Sequence, residues 1–386
     1  MVMPFKVTAT DADSNARCGE LETAHGTVQT PVFMVVGTRA TVAALDPEDL
    51  KRVNTKVVLA NTYHLLLRPG PELFRRVGGV HRFMQWSGPI LTDSGGYQVF
   101  SLARDCVVTE KGARFKSYVD EQRYMLSPER SIEMQIALGS DIMMVLDVCI
   151  DSRADEATTR AAMERTHRWA KRSLDARGAS KQALFGIVQG GVHANLRRES
   201  AAVLTEMPFD GFAVGGLAVG DKREQREAMT ELTADLLPAS RPRYLMGVGT
   251  PPDLLNGMLA GIDMFDCVIP TMLASQGTAF ASTGRVRLKR GGNSHDDGPI
   301  DTTCSCYTCQ TFSRSYLHHL IKCNEPLGPR LLSLHNVHHY QDLMEDSRQA
   351  IAAGNFAAFA KSKLDAIDRH EHSTRRLGQE PASGAS

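Results

Sequence analysis

Apolar and polar positions along the 386-residue chain alternate in a repeating block. Near-continuous apolar runs of three to five residues recur at 32–36, 57–60, 89–92, 142–146, 184–188, 212–214, 244–248 and 264–268. A parallel strand covered on both faces reads as such an unbroken run. The segments between carry helical periodicity, as in Ala161-Ala162-Met163-Glu164-Arg165-Thr166-His167-Arg168-Trp169-Ala170. Eight runs at βα spacing predict an α/β fold, a (β/α)8 TIM barrel. A doubly wound open sheet gives the same local signals and is the alternative.

About 48 residues separate Asp93 from Asp141, too many for one βα unit. Arg114-Phe115-Lys116-Ser117-Tyr118-Val119 alternates with period two, which predicts a small antiparallel insertion after the third strand. A helix is expected to restart near Ser127-Pro128-Glu129, a capping serine followed by proline. Residues 285–339 read as a second insertion near the C-terminus, 1–375 as one barrel unit, and 376–386 as a disordered tail.

The second insertion holds Cys304, Cys306 and Cys309 in Cys-Ser-Cys-Tyr-Thr-Cys, and His335 follows 26 residues after Cys309. Three thiolates and one imidazole complete a tetrahedral zinc shell with no position left for water or substrate. One structural Zn2+ per chain is therefore expected. A metal-free thiol cluster or an iron–sulfur site is the alternative reading. The other five cysteines are widely spaced and odd in number, which argues against a disulfide framework.

Hydrophobic content of 42% and charged content of 23% are ordinary for a globular chain. No apolar stretch approaches the roughly 18 residues of a membrane span, and the first residues lack a signal-peptide core, so a cytoplasmic protein without a membrane partner is expected. Net charge is +0, so a nucleic-acid partner would have to be met by local basic patches.

Polar and glycine residues end the apolar runs: Asn61-Thr62-Tyr63, Asp93-Ser94-Gly95-Gly96, Asp147, Gln189-Gly190-Gly191, Gly215-Gly216 and Met246-Gly247, with Asp266 inside the last run. Barrel active sites are built at that end. Each aspartate alone could be a turn or capping residue. Together, Asp93, Asp147 and Asp266 suit substitution at an anomeric carbon, where one carboxylate attacks and another moves the proton.

The motifs Leu91-Thr92-Asp93-Ser94-Gly95-Gly96-Tyr97-Gln98, Gln189-Gly190-Gly191, Ala213-Val214-Gly215-Gly216-Leu217-Ala218-Val219-Gly220, Tyr244-Leu245-Met246-Gly247-Val248-Gly249 and Met264-Phe265-Asp266-Cys267-Val268 resemble queuine tRNA-ribosyltransferases, the tRNA-guanine transglycosylases. With the cysteine motif and Leu334-His335-Asn336 the resemblance runs from about residue 6 to 370. It implies exchange of the wobble guanine of tRNA for a 7-deazaguanine, prequeuosine base or queuine, by a zinc-bearing barrel that is usually a homodimer in bacteria. It implies Asp266 as nucleophile at ribose C1′ and Asp93 as general acid/base. Asp147 would accept the purine N1–H and amine, Gln189 and the Gly216 N–H would bind its O6, Leu217-Ala218 would face its substituent, and Tyr97 and Met246 would sandwich the ring.

Thr271, Gln276 and Gly277 fall on the segment that the family uses to hold the anticodon loop. Bacterial relatives carry two arginines there; this chain has Met272 and Ser275. Arg285, Arg287, Lys289 and Arg290, or the helix face Arg165, Arg168 and Arg172, are the candidates to replace them. Val148 stands where relatives commonly carry Glu, and Asp221 where they carry a longer Glu. A catalytically weakened RNA-binding or partner subunit, and a glycoside-processing barrel acting on a small molecule, are the competing readings.

Overall fold

In the computed structural model, residues 3–102 and 104–377 are described. Eight parallel strands close into a barrel: β1 (Val32–Val36), β2 (Val58–Ala60), β3 (Ile90–Thr92), β4 (Ile142–Met144), β5 (Ala183–Val188), β6 (Gly211–Val214), β7 (Arg243–Leu245) and β8 (Met264–Cys267). The runs expected at 142–146 and 244–248 stop being strand after Met144 and Leu245, so Asp147 and Met246 sit on the loops above the barrel. β8 closes onto β1, pairing Asp266 with Met34. Every residue of β1 to β6 is buried, because helices cover the outside and side chains fill the interior. No open doubly wound sheet is present among the described residues.

The insertion after β3 is a three-stranded antiparallel sheet, Arg104–Thr109, Gly112–Lys116 and Arg123–Leu126. The helix after it is Pro128–Leu138, capped by the Ser127 hydroxyl, which accepts the Arg130 N–H. A second antiparallel sheet, Phe5–Thr10, Arg17–Thr23 and Gly26–Thr30, meets the barrel at the N-terminal ends of its strands. There Arg17 forks onto Asp263, 2.9 and 2.7 Å away. The opposite end is left open for chemistry.

After β8 the chain forms the short helix Ile269–Ser275, a hairpin of Thr278–Ala281 with Gly284–Arg287, the cysteine-bearing turn, and the long helix Leu327–Ala352. That helix lies against the barrel: Gln341 Nε2 donates to Phe33 O at 3.2 Å and the Tyr340 hydroxyl to Gly249 O at 2.7 Å. The last helix, Phe356–Leu377, runs two residues past the expected start of the tail, and the remainder of that tail lies outside the described residues. No described helix is long and apolar enough to cross a membrane.

Candidate active site

A cavity of about 430 Å3 opens at the C-terminal ends of the strands. Its walls bring together Asp93, Tyr97, Asp147, Gly216, Leu217, Met246 and Asp266, residues that stand far apart in sequence. A second cavity, about 380 Å3, lies beside the cysteine-bearing turn. Of the aspartates that line it, Asp253 is engaged by Arg226, Asp342 by His338, Asp346 by Lys363 and Asp301 by the Ser282 and Thr303 N–H groups.

Asp93 follows β3 directly and is only 8% exposed. Its Oδ2 accepts Asn61 Nδ2 at 2.6 Å and its Oδ1 the Thr62 N–H at 2.7 Å. Burial pushes its carboxyl up to about 6; the Asn61 and Thr62 donors oppose that rise, and the nearby Asp266 charge adds to it. Asp266 lies within β8 and is partly exposed to the cavity. The Tyr244 hydroxyl at 2.6 Å and the Gly247 N–H at 2.7 Å both donate to its Oδ1. Two donors on one oxygen orient the carboxylate, and Oδ2 has no donor among the described residues. Burial raises the Asp266 carboxyl, while Tyr244 and Gly247 pull it back.

Asp147 is also buried, and its carboxyl is raised by desolvation against donation from Gln189 and Ser94. Gln189 Nε2 donates to its Oδ2 at 2.7 Å and Ser94 Oγ to its Oδ1 at 3.3 Å. Gln189 sits behind the cavity wall rather than on it, with a second amide N–H still to give. A Cβ at Gly96 would lie 2.5 Å from Asp147 Oδ1, and one at Gly216, where φ is +67°, would lie 2.1 Å from Gln189 Oε1. Only glycine allows the backbone this close to the carboxylate and the amide. Tyr97 is 52% exposed, presenting its ring to the cavity mouth, and Met246 lines the same space.

Asn61, Thr62 and Ser94, whose only sequence signal is to follow strands, and Tyr244, which lies within β7, hold the three carboxylates. Arg197 is a less legible case. It is fully buried, and its guanidinium donates to Gly191 O at 2.9 Å, Val188 O at 3.0 Å and Gly215 O at 2.8 Å. It thereby ties the end of β5 to the end of β6 and fixes the loops that carry Gln189 and Gly216. In sequence it is one cation in the amphipathic helix Ala194–Thr205, where a solvated position is the default.

Asp221 accepts the Val219 N–H on Oδ1 at 2.9 Å and Arg226 on Oδ2 at 3.2 Å, so it holds the peptide that follows Leu217-Ala218. Val148 is buried, with its N–H donated to Thr166. Thr271, Gln276 and Gly277 line no part of the cavity. Thr271 is buried with its hydroxyl 3.3 Å from Val268 O, Gln276 is exposed at the helix end, and Gly277 turns the chain at φ +80°. Met272 is 41% exposed, and the Ser275 hydroxyl is spent on Met272 O at 2.7 Å.

Away from the cavity, Cys304, Cys306, Cys309 and His335 converge, all ligand atoms within 4.8 Å of one another. His335 Nδ1 is 3.7, 3.4 and 3.3 Å from the three sulfurs. The other ring nitrogen, Nε2, meets Phe280 O, which makes it the protonated one and leaves the Nδ1 lone pair facing the thiols. A Cys3His set with the imidazole so fixed fits a metal ion, and it is closed to substrate.

A family model described as queuine tRNA-ribosyltransferase matches residues 11–369. Proteins named queuine tRNA-ribosyltransferase match nearly end to end. One from Herpetosiphon aurantiacus is 48% identical over 97% of this chain and 96% of its own. One from Solidesulfovibrio magneticus is 51% identical over 95% and 99%, and one from Saccharophagus degradans 50% identical over 92% and 95%.

Proposed function

Since this chain belongs to the queuine tRNA-ribosyltransferase family, and is thus a tRNA-guanine transglycosylase, a pentosyltransferase, we propose that it exchanges the wobble guanine for a 7-deazaguanine by double displacement through Asp266. The observation that carries this reading is the pair of carboxyls on one cavity: Asp266 held by two donors on Oδ1 and none on Oδ2 among the described residues, and Asp93 raised to about 6.

Ionised Asp266 Oδ2 attacks ribose C1′ as the bond to guanine breaks, and the departing purine takes a proton from Asp93. The incoming 7-deazaguanine returns that proton to Asp93 as its ring nitrogen attacks C1′ and displaces Asp266. Two inversions retain the configuration, and the carboxylate beside C1′ stabilises the oxocarbenium-like transition state. Asp147 accepts the purine N1–H and amine; Gln189 and the Gly216 N–H donate to O6. Tyr97 and Met246 flank the ring and Leu217 closes the pocket. Whether the incoming base is prequeuosine base or queuine is decided at the Leu217-Ala218 peptide, next to the Val219 N–H that Asp221 holds.

Zinc on Cys304, Cys306, Cys309 and His335 would hold the segment after β8 in place and take no part in the reaction. The same reading makes residues 1–375 one barrel unit with 285–339 as its zinc-bearing insertion. It makes the tRNA anticodon loop the partner, through Thr271, Gln276 and Gly277, the cytoplasm the location, and a homodimer the working form.

The test is incorporation of labelled guanine into bulk tRNA, with trapping of a protein–RNA adduct. Asp266→Asn should abolish both while keeping the thermal unfolding transition, because a neutral amide is no nucleophile. Substantial incorporation by Asp266→Asn would remove the assignment. No incorporation by the unaltered protein would favour a non-catalytic partner subunit.

A further inference from the structure

We propose that Arg287, Lys289 and Arg290 form the phosphate-binding row with which this chain holds its RNA substrate, replacing the cations absent at Met272 and Ser275. The inference rests on the functional reading above for its partner, an RNA, and on the following geometry for its place.

The segment from Gly284 onward alternates. Arg285, Arg287 and Lys289 are exposed, Val286 is half-buried and Leu288 fully buried. Residues two apart on an extended strand project from one face with a repeat of about 7 Å. After Arg287 the Leu288 N–H still donates to Gly277 O at 2.8 Å, and Leu288 and Lys289 then form a turn that the Arg290 N–H closes on Arg287 O at 3.1 Å, leaving Arg287, Lys289 and Arg290 exposed around one turn.

The row is also braced. Asn293 Nδ2 donates to Arg287 O at 2.9 Å and Arg290 O at 3.1 Å, and His318 Nδ1 lies 2.6 Å from Leu288 O. Binding an anion here orders side chains only. Arg287, Lys289 and Arg290 are exposed and have no carboxylate partner among the described residues. Arg285 differs: its guanidinium lies over the Phe280 ring at 5.9 Å and faces the second cavity.

Position links the row to the reacting centre. Val268 and Ile269 line the catalytic cavity, the helix Ile269–Ser275 leads away from it, and Gly277 follows at its end. A Cβ on Gly277 would stand 3.4 Å from both Cγ and Cε of Lys289, so the Lys289 stem lies over that turn. Seven helical residues span about 10 Å, so Lys289 stands one short helix from the place where a nucleobase would react. A single-stranded loop entering the cavity would pass this row.

The competing basic face is not available. Arg168 is forked onto Glu110 at 2.9 and 3.0 Å, and Arg172 onto Glu129 at 2.7 and 2.8 Å. Arg165 lies 3.7 Å from Glu110. Arg165 and Arg168 share the one carboxylate of Glu110 in the antiparallel insertion, and Arg172 takes Glu129 on the helix Pro128–Leu138, so two carboxylates already engage these three cations of the long helix Glu156–Arg177.

The experiment measures affinity of the full chain for unmodified tRNA by anisotropy across a salt series, alongside kcat and KM for exchange. Each lost phosphate contact lowers the slope of log K against log salt by roughly 0.7–0.9. The triple variant Arg287→Ala/Lys289→Ala/Arg290→Ala should flatten the slope by about two units, and raise KM for tRNA at least tenfold with kcat and KM for guanine unchanged. Lys289→Glu, a single exposed change, should raise KM for tRNA in the same direction and guards against a folding artefact in the triple variant. An unaltered slope in the triple variant, with exchange intact in the unaltered protein, overturns the row while leaving the functional reading standing. Absence of exchange in the unaltered protein would instead count against that reading, and the salt slopes still decide whether the row binds RNA.

Discussion

Asp93 illustrates how a buried carboxyl trades stability for chemistry. Its pKa is about 6 in the folded chain against 3.8 for the free group, so as pH rises between those values the unfolded chain gives up its proton first and the folded state is penalised. At about 1.4 kcal/mol per unit, the penalty at neutral pH is about 2–3 kcal/mol. Asp93→Asn should therefore abolish base exchange and raise stability against denaturant by up to that amount at pH 8, with the gain vanishing as pH falls toward 4. Equal stability of the two proteins at pH 8 would show that the desolvation is relieved in some other way. Asn61 bears on the same proton from the opposite side. Its donation favours the ionised carboxylate, so Asn61→Ala should raise the Asp93 pKa further and move to higher pH the limb of the exchange profile that it governs. Asp93 and Asp266 interact, so the limb reports the pair. An unmoved profile, with kcat retained, would mean that the limb belongs to another group.

At the scale of elements, the strand runs, the three strand-end aspartates and the Cys3His spacing were legible because each rests on a local pattern: continuous burial, a polar stop, or ligand count. What joins them was not, because it depends on side chains meeting across distant sequence. Tyr244 reads as an apolar strand residue yet donates to Asp266, and Arg197 reads as a solvated helix position yet crosses two strand ends. Asn336 is a third such residue. Its Nδ2 donates to Pro270 O at 2.9 Å and Thr278 O at 3.0 Å, and its Oδ1 accepts the Phe280 N–H at 2.9 Å. The neighbouring His335 meets Phe280 O, so the expected zinc ligand and Asn336 together clasp the whole segment from Pro270 to Phe280. Asn336→Ala removes three side-chain hydrogen bonds to backbone groups, two buried and one partly buried, which at about 1 kcal/mol each should lower the unfolding midpoint. One zinc per chain should remain bound, whereas Cys306→Ser should lose the metal itself, a site worth on the order of 10 kcal/mol to local folding. Metal analysis of both variants separates the cases: zinc absent from Asn336→Ala would make that residue part of the metal site's own support.

Across the whole molecule the charges cancel, with 44 cationic and 44 acidic side chains, so no global field draws RNA toward the cavity. Affinity then depends on where cations are left unpaired, and those nearest the cavity by way of the helix Ile269–Ser275 stand on the segment just after it. That helix contributes none of its own: Met272 presents a thioether to solvent and Ser275 spends its hydroxyl on the backbone. Met272→Arg with Ser275→Arg should add two guanidiniums in front of the existing row. The expected result is tighter binding of a hairpin carrying uracil-guanine-uracil by a few kcal/mol at most, and a salt slope steeper by about 1.5 units, roughly 0.7–0.9 for each new phosphate contact. Sequence preference is a separate quantity, because phosphate contacts position an RNA and base contacts specify it. The comparison therefore needs a second hairpin with altered flanking uracils at the same salt. A steeper slope with unchanged discrimination would assign the restored arginines to phosphates. Increased discrimination would assign at least one to a base edge, worth about 1–3 kcal/mol. If the unaltered protein already separates the two hairpins strongly and the double substitution changes neither slope nor preference, the loop is read by other residues, and the helix Ile269–Ser275 is not where this chain meets the RNA.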